Sequence, residues 1–122
     1  MIVERRGQQH HRQRLAEAIR EEIDTIVEGE LGDPRIGLVN VSSVIMAPDG
    51  RSARVLVVAQ GDDEEAARTM EGLTAAVGFV RRELVDRLHL RRAPELFFQL
   101  DRSQLYQSRI DELLKRSRRK SG

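Results

Sequence analysis

The chain has 122 residues, of which 39% are hydrophobic and 34% charged, and these values are typical of one soluble globular domain. It contains no cysteine, so disulfides, thiolate catalysis and zinc bound by cysteine are excluded. No apolar run approaches the ~20 residues of a membrane span, and no apolar stretch follows the basic start, so we expect a cytoplasmic protein without a membrane partner.

The net charge of +1 conceals a segmented distribution. Residues 1–14, 78–100 and 101–122 are basic, whereas residues 15–35 and 61–77 are acidic. The distribution of charge decides whether a protein can face a polyanion. Nearly all of the basic residues are arginines, which suit bidentate phosphate contacts, although a genome rich in Arg codons gives the same bias.

The first predicted element is a helix over residues 12–28. Leu15, Ile19 and Ile23 recur at four-residue spacing and form one apolar stripe. The segment Gly29–Gly32 spells G-x-x-G, the backbone clamp of KH nucleic-acid-binding domains. Because this segment closes the first helix instead of joining two paired helices, we interpret it as a helix stop.

A β-hairpin is predicted next, with strands over residues 38–46 and 52–59 around the turn at residues 47–50. The alternation of apolar residues breaks at Ser42 and Ser43, which predicts a β-bulge. In the second strand alternate residues share a face, and the face that carries Arg54 is partly apolar.

The second half of the chain predicts helices around one further strand. Asp62 and Glu65 form a capping box at the start of a helix that Gly78 interrupts, and the helical pattern resumes as far as residue 88. A third strand follows over residues 95–101, and the last helix is expected over about 103–116 before a frayed basic tail. The order α-β-β-α-break-α-β-α predicts an α+β domain with a three-stranded sheet and helices on one face.

The sequence offers no catalytic constellation. His10 and His11 are adjacent, so they cannot coordinate one metal ion together as two histidines four residues apart on a helix would. His89 has no other histidine near it in the sequence. There is no Gly-rich phosphate loop and no nucleophile elbow. We therefore expect no enzyme, no metal and no cofactor. With only four aromatic residues, recognition by base stacking is also not favoured.

Several motifs, taken in order, resemble the ribosome-binding factor A family over about residues 6–101. In that family an Ala-x-Gly kink replaces the KH clamp between the paired helices, and here the matching residues are Ala76-Val77-Gly78. The other motifs are Asp33-Pro34-Arg35-Ile36-Gly37, Gly78-Phe79-Val80-Arg81, Leu88-His89-Leu90-Arg91 and Pro94-Glu95-Leu96, followed by Phe98 and Asp101.

The resemblance implies a type II KH-like domain at residues 1–102, followed by a C-terminal helix and basic tail at residues 103–122. It also implies a monomeric bacterial assembly factor that binds the immature small (30S) ribosomal subunit and its 16S rRNA. Such a factor assists late maturation and processing of the rRNA, matters most in the cold and is released by a partner GTPase.

The expected RNA-binding surface centres on the kink. At Gly78 a positive-φ or kinked backbone with little side-chain cover would let a phosphate approach, and Arg81 follows one turn later. For Arg81 a structural role, pairing with Asp101 or bordering Val85, stays open. The candidate RNA-binding residues are Arg35, Ala76, Gly78, Arg81, Arg82, Arg91, Arg92, Arg5 and Arg6.

Three alternatives remain open at this point. The first is a generic KH-type RNA-binding protein, which would bind unrelated single strands as tightly as ribosomal particles. The second is a protein-interaction or dimerisation module, because the acidic first helix would repel RNA and the partly apolar outer sheet edge could hold a partner. The third, placed last, is an uncharacterised enzyme.

Overall fold

A computed structural model describes the backbone of residues 2–121 and the side chains of residues 10–103 and 105–118. Seven elements follow one another in the predicted order, which confirms the α+β class and the α-β-β-α-α-β arrangement of a type II KH-like domain with a C-terminal helix. The elements are α1 (Ile2–Gly29), β1 (Val39–Met46), β2 (Ser52–Ala59), α2 (Asp63–Ala75), α3 (Val77–Leu88), β3 (Glu95–Leu100) and α4 (Ser103–Ser121). None of the described helices is long and apolar enough to cross a lipid bilayer.

The three strands form one sheet in the order β1-β2-β3. β1 runs antiparallel to β2, and β3 runs parallel to β2. The register shifts between Val41 and Ser43, so the predicted bulge is confirmed. The extra residue reverses the alternation of β1, and for this reason Val44 packs against the same core as Val41.

One hydrophobic core lies between the sheet and helices α1 to α3. The isoleucines of α1 supply its centre, since Ile19, Ile23 and Ile26 are all fully buried. Burying such a side chain stabilises the fold by roughly 1.5–3 kcal/mol. The other elements contribute Val55 and Val57 from β2, Leu73 from α2, Val80 and Leu84 from α3, and Leu96 from β3.

Two helix boundaries differ from the predicted ones. α1 begins at Ile2, ten residues before the predicted start at residue 12, and α4 continues to Ser121 instead of fraying after residue 116. The prediction rested on apolar periodicity, which is absent from these polar end segments. Neither added segment contains proline, and α4 ends in Lys and Arg residues, which are good helix formers.

Candidate nucleic-acid interface

The break between α2 and α3 is a kink centred on Ala76. This residue has φ −89° and ψ 0°, and its N–H donates to the carbonyl oxygens of both Gly72 and Leu73, each at 3.1 Å. Its own carbonyl accepts from Val80 N–H at 3.0 Å, so the helical hydrogen bonding continues on the far side. The two helices therefore follow each other directly, without a loop.

Gly78 lies in the first turn of α3; of the two backbone forms expected here, a positive φ is not found, and the kink lies two residues earlier at Ala76. The glycines with positive φ are Gly32, Gly50 and Gly61. Gly78 is exposed, and a Cβ added to it would meet no atom within 4 Å. No packing contact in the described part of the chain requires glycine here, but its missing side chain leaves the backbone beside the kink open to a ligand.

Arg81 is occupied by a structural contact. Its Nε donates to the carbonyl oxygen of Pro94 at 3.0 Å, and its Nη2 donates to that of Ala93 at 3.1 Å. These bonds fix the loop between α3 and β3. The alternative partner Asp101 instead accepts hydrogen bonds from Ser42 and Ser103.

Arg35 is also paired, although it is exposed. Its Nη2 lies 2.7 Å from Asp33 Oδ2, and its backbone N–H donates to Asp33 Oδ1. These donors lower the pKa of Asp33, and the same contact raises the pKa of Arg35. Arg35 therefore faces solvent with its charge largely compensated by a carboxylate of its own loop.

Arg82, Arg91 and Arg92 are exposed, and no ion pair or hydrogen bond of their side chains is found within residues 10–103 and 105–118. Arg82 is in α3, four residues after Gly78, and the other two lie in the loop that Arg81 fixes. Arg5 and Arg6 belong to the first turns of α1, and their side chains lie outside the described residues. The structure thus separates the candidate arginines into paired and available ones.

Acidic residues of the loop after α1 lie beside the kink. Glu30 and Asp33 line a groove together with Ala76 and Phe79. Both carboxylates have arginine partners, because Arg87 of α3 binds Glu30 at 2.6 Å and Arg35 binds Asp33. The acidic loop after α1 is therefore partly neutralised beside the kink.

Sequence reasoning did not identify Arg87 as part of this arrangement. Its guanidinium lies 3.5 Å from Glu22 and 3.6 Å from Glu83, in addition to its contact with Glu30. The i,i+4 spacing of Glu83 and Arg87 is visible in the sequence. The two partners on α1 and just after it are more than fifty residues away along the chain, and only the folded arrangement brings them together.

Comparison with known proteins yields one family. The sequence model described as "Ribosome-binding factor A" matches residues 11–114. Ribosome-binding factor A of Koribacter versatilis is 59% identical over 114 residues, which cover 93% of each chain.

Solved structures agree with the sequence match. The crystal structure of ribosome-binding factor A from Thermus thermophilus superposes with a TM-score of 0.64 at 27% identity, covering 74% of this chain and 96% of that one. A homology model of the T. thermophilus factor, fitted into a cryo-EM map of a 30S complex, gives a TM-score of 0.53 at 28% identity, covering 70% of this chain and 93% of that one. With the family match over most of its length and close relatives over nearly all of it, the chain belongs to the ribosome-binding factor A family.

Proposed function

We propose that this protein is a non-enzymatic ribosome assembly factor that binds the immature 30S subunit through its 16S rRNA. The observation that carries the proposal is the group of available arginines, Arg82 of α3 with Arg91 and Arg92 of the following loop, in a member of this family. The relative fitted into a 30S map supports the choice of the small subunit as the partner.

Binding would depend on contacts with the phosphates and sugars of the RNA and on the shape of the RNA. The three arginines contact phosphates, and the backbone at Ala76 and Gly78 accepts a close approach of the RNA chain because no side chain covers Gly78. Arg81 acts as a positioning residue, since it holds the loop that carries Arg91 and Arg92. Arg35, Arg5 and Arg6 would make further RNA contacts; the side chains of Arg5 and Arg6 lie outside the described residues.

The finer role follows from the family resemblance. The protein assists late maturation and processing of 16S rRNA in the cytoplasm, matters most at low temperature, works as a monomer and leaves the subunit with the help of a GTPase. Residues 1–102 constitute the ribosome-binding domain, and residues 103–122 the C-terminal helix and basic tail.

Sedimentation of the full-length tagged protein through a sucrose gradient, at moderate salt in a cell extract, tests the proposal. We expect comigration with free small subunits and little with whole ribosomes. A protein that remains at the top of the gradient would contradict ribosome binding.

A triple variant, R82A/R91A/R92A, tests the arginines themselves. It should weaken binding to isolated 30S subunits and flatten the salt dependence, because each lost phosphate contact reduces the number of released counterions. R20A is the matched control, since Arg20 bonds to Glu17 within acidic α1 and should leave the salt slope unchanged. An unchanged slope in the triple variant would refute the assignment.

A second candidate function is a protein-interaction or dimerisation module. One observation favours it, because α4 leaves its apolar side chains open to solvent: Leu105, Tyr106, Ile110, Leu113 and Leu114 are 50–69% exposed. Analytical ultracentrifugation over a hundredfold concentration range distinguishes the candidates. Self-association without affinity for 30S subunits would favour the module, and a monomer that binds 30S subunits would favour the assembly factor.

A further inference from the structure

The outer face of the sheet carries a row of three side chains that the core does not use. β1 pairs Ile45 with Arg54, and β3 pairs Phe97 with the same Arg54. The neighbouring residues Ala53 and Leu96 are buried, so alternation places this row on the opposite, solvent-facing side. Phe97 is 50% exposed and Ile45 is 42% exposed.

Two arginines, Arg51 and Arg54, lie at the end of the sheet where this row lies, and two more belong to the loop that enters β3 at the same end. The backbone N–H of Glu95 donates to Arg51 O at 2.9 Å, and the parallel register places the starts of β2 and β3 side by side. Arg51 and Arg54 therefore lie beside the loop that ends in β3. Arg91 and Arg92 belong to that loop, and all four arginines are exposed.

The local charge favours a polyanion. No ion pair of these four side chains is found within residues 10–103 and 105–118. Two carboxylates lie close to these arginines along the chain. They are Asp49, which accepts a hydrogen bond from Arg51 N–H, and Glu95 at the start of β3. Phe79 is also exposed, at 36%, but it lines a groove with the arginine-paired carboxylates Glu30 and Asp33 and has no row of arginines beside it on the sheet.

The surroundings of Phe97 argue against a protein partner at this position. A stable protein interface buries at least about 1,000 Å² around an apolar centre. On the outer face the direct neighbours of Phe97 are the exposed polar residues Arg54 and Gln99, whereas the apolar residues Leu56 and Ile45 lie diagonal to it and beyond Arg54. A single exposed ring among arginines matches instead the pattern of stacking platforms for single-stranded nucleic acid.

We propose that Phe97 stacks on one unpaired base of an RNA segment whose flanking phosphates contact Arg54, Arg51, Arg91 and Arg92. The inference rests on the proposed function and extends it, because it adds an unpaired nucleotide to a surface that otherwise recognises phosphate and shape. Arg91 and Arg92 are common to this site and to the RNA contacts of the proposed function.

Fluorescence anisotropy with a labelled, unstructured eight-nucleotide oligouridine tests the platform in the full-length protein. F97A and F97L should each weaken binding by about 5- to 150-fold, the range measured for the loss of one stacked base. F97W should retain binding, and RNA should quench its indole fluorescence. Q99A, on the same face of the same strand, is the control and should bind like the unchanged protein.

The outcomes are distinguishable. If F97A binds oligouridine like the unchanged protein, the platform is refuted, whereas sedimentation with 30S subunits still tests the proposed function by itself. If F97L retains full binding while F97A loses it, Phe97 makes an apolar contact and the stacking inference is wrong. If F97A abolishes self-association instead of RNA binding, the occupant is a second copy of the chain and the inference is likewise overturned.

Discussion

Arg87 of α3 donates two hydrogen bonds to the carboxylate of Glu30, at 2.6 and 2.8 Å, and thereby ties α3 to the end of α1. Glu22 and Glu83 lie within 3.6 Å of the same guanidinium. The contact with Glu30 is the main reason that the pKa of Arg87 is raised. One cation therefore compensates three carboxylates between α3 and the end of α1.

Replacing Arg87 should leave three neighbouring carboxylates without a compensating cation. We expect R87A to lower the midpoint of urea unfolding at low salt, because the three carboxylates then repel one another. Added salt should restore part of the loss, since it screens partly exposed charges. R82A, on the same helix and without an ion pair among the described residues, is the control and should show little change at either salt concentration. A salt-independent loss in R87A would point to packing of its aliphatic stem instead.

A substitution at Gly78 should change the stability of the fold and the affinity for 30S subunits in opposite directions. G78A should raise the free energy of unfolding by about 0.5–1 kcal/mol, because alanine loses less conformational entropy in a helix and its Cβ meets open space here. The same methyl group should weaken binding to 30S subunits if RNA approaches this backbone. Urea unfolding and 30S affinity measured on one preparation check both effects. A more stable variant with unchanged affinity would show that the RNA does not approach the backbone at Gly78.

G72A is the comparison for this experiment. A Cβ at Gly72 would lie 2.5 Å from Ile36 Cγ1, so the neighbouring loop would have to shift. We therefore expect G72A to destabilise the fold, in contrast to G78A in the adjacent helix.

His89 ends α3 in the left-handed region, with φ 53° and ψ 44°, and its N–H donates to Val85 O. A residue with a Cβ is disfavoured here, whereas glycine is common at such helix ends. We expect H89G to stabilise the protein by up to about 1 kcal/mol and H89A to give no gain. Chemical unfolding of the two variants side by side measures this difference. Equal stabilities would indicate that the imidazole itself contributes at this position.

Asp101 connects β3, α4 and the bulge of β1. Donors from the Ser103 hydroxyl, the Ser42 hydroxyl and the Ser103 N–H lower its pKa. Since the pKa is lower in the folded state than the unfolded value of about 3.9, the stabilisation is complete above that value and is lost as the pH falls through the folded one. Unfolding free energies measured between about pH 2 and 5 should therefore fall more steeply for the unchanged protein than for D101N. Parallel curves would contradict the role of the charged carboxylate.

Local sequence patterns were sufficient to predict the helices and strands and several of their boundaries. The capping box of Asp62 and Glu65 is present as predicted, and the bulge after Val41 follows from the broken alternation. Both features depend on residues a few positions apart, whose geometry the backbone itself imposes. The four- and three-residue spacing of apolar residues likewise identified the face of α1 that is buried.

The roles of individual side chains depended on distant parts of the chain. Arg81 and Arg82 are adjacent and identical in type, yet Arg81 binds the carbonyls of Ala93 and Pro94, while Arg82 has no such partner among the described residues.

Phe97 and Phe98 are adjacent in β3 and therefore lie on opposite faces of the sheet, but the sequence could not decide which one is exposed. Hydrophobic periodicity and capping are encoded locally, and the sequence alone determined them. Partners and exposure follow from which segments the core brings together, and only the tertiary structure decided these.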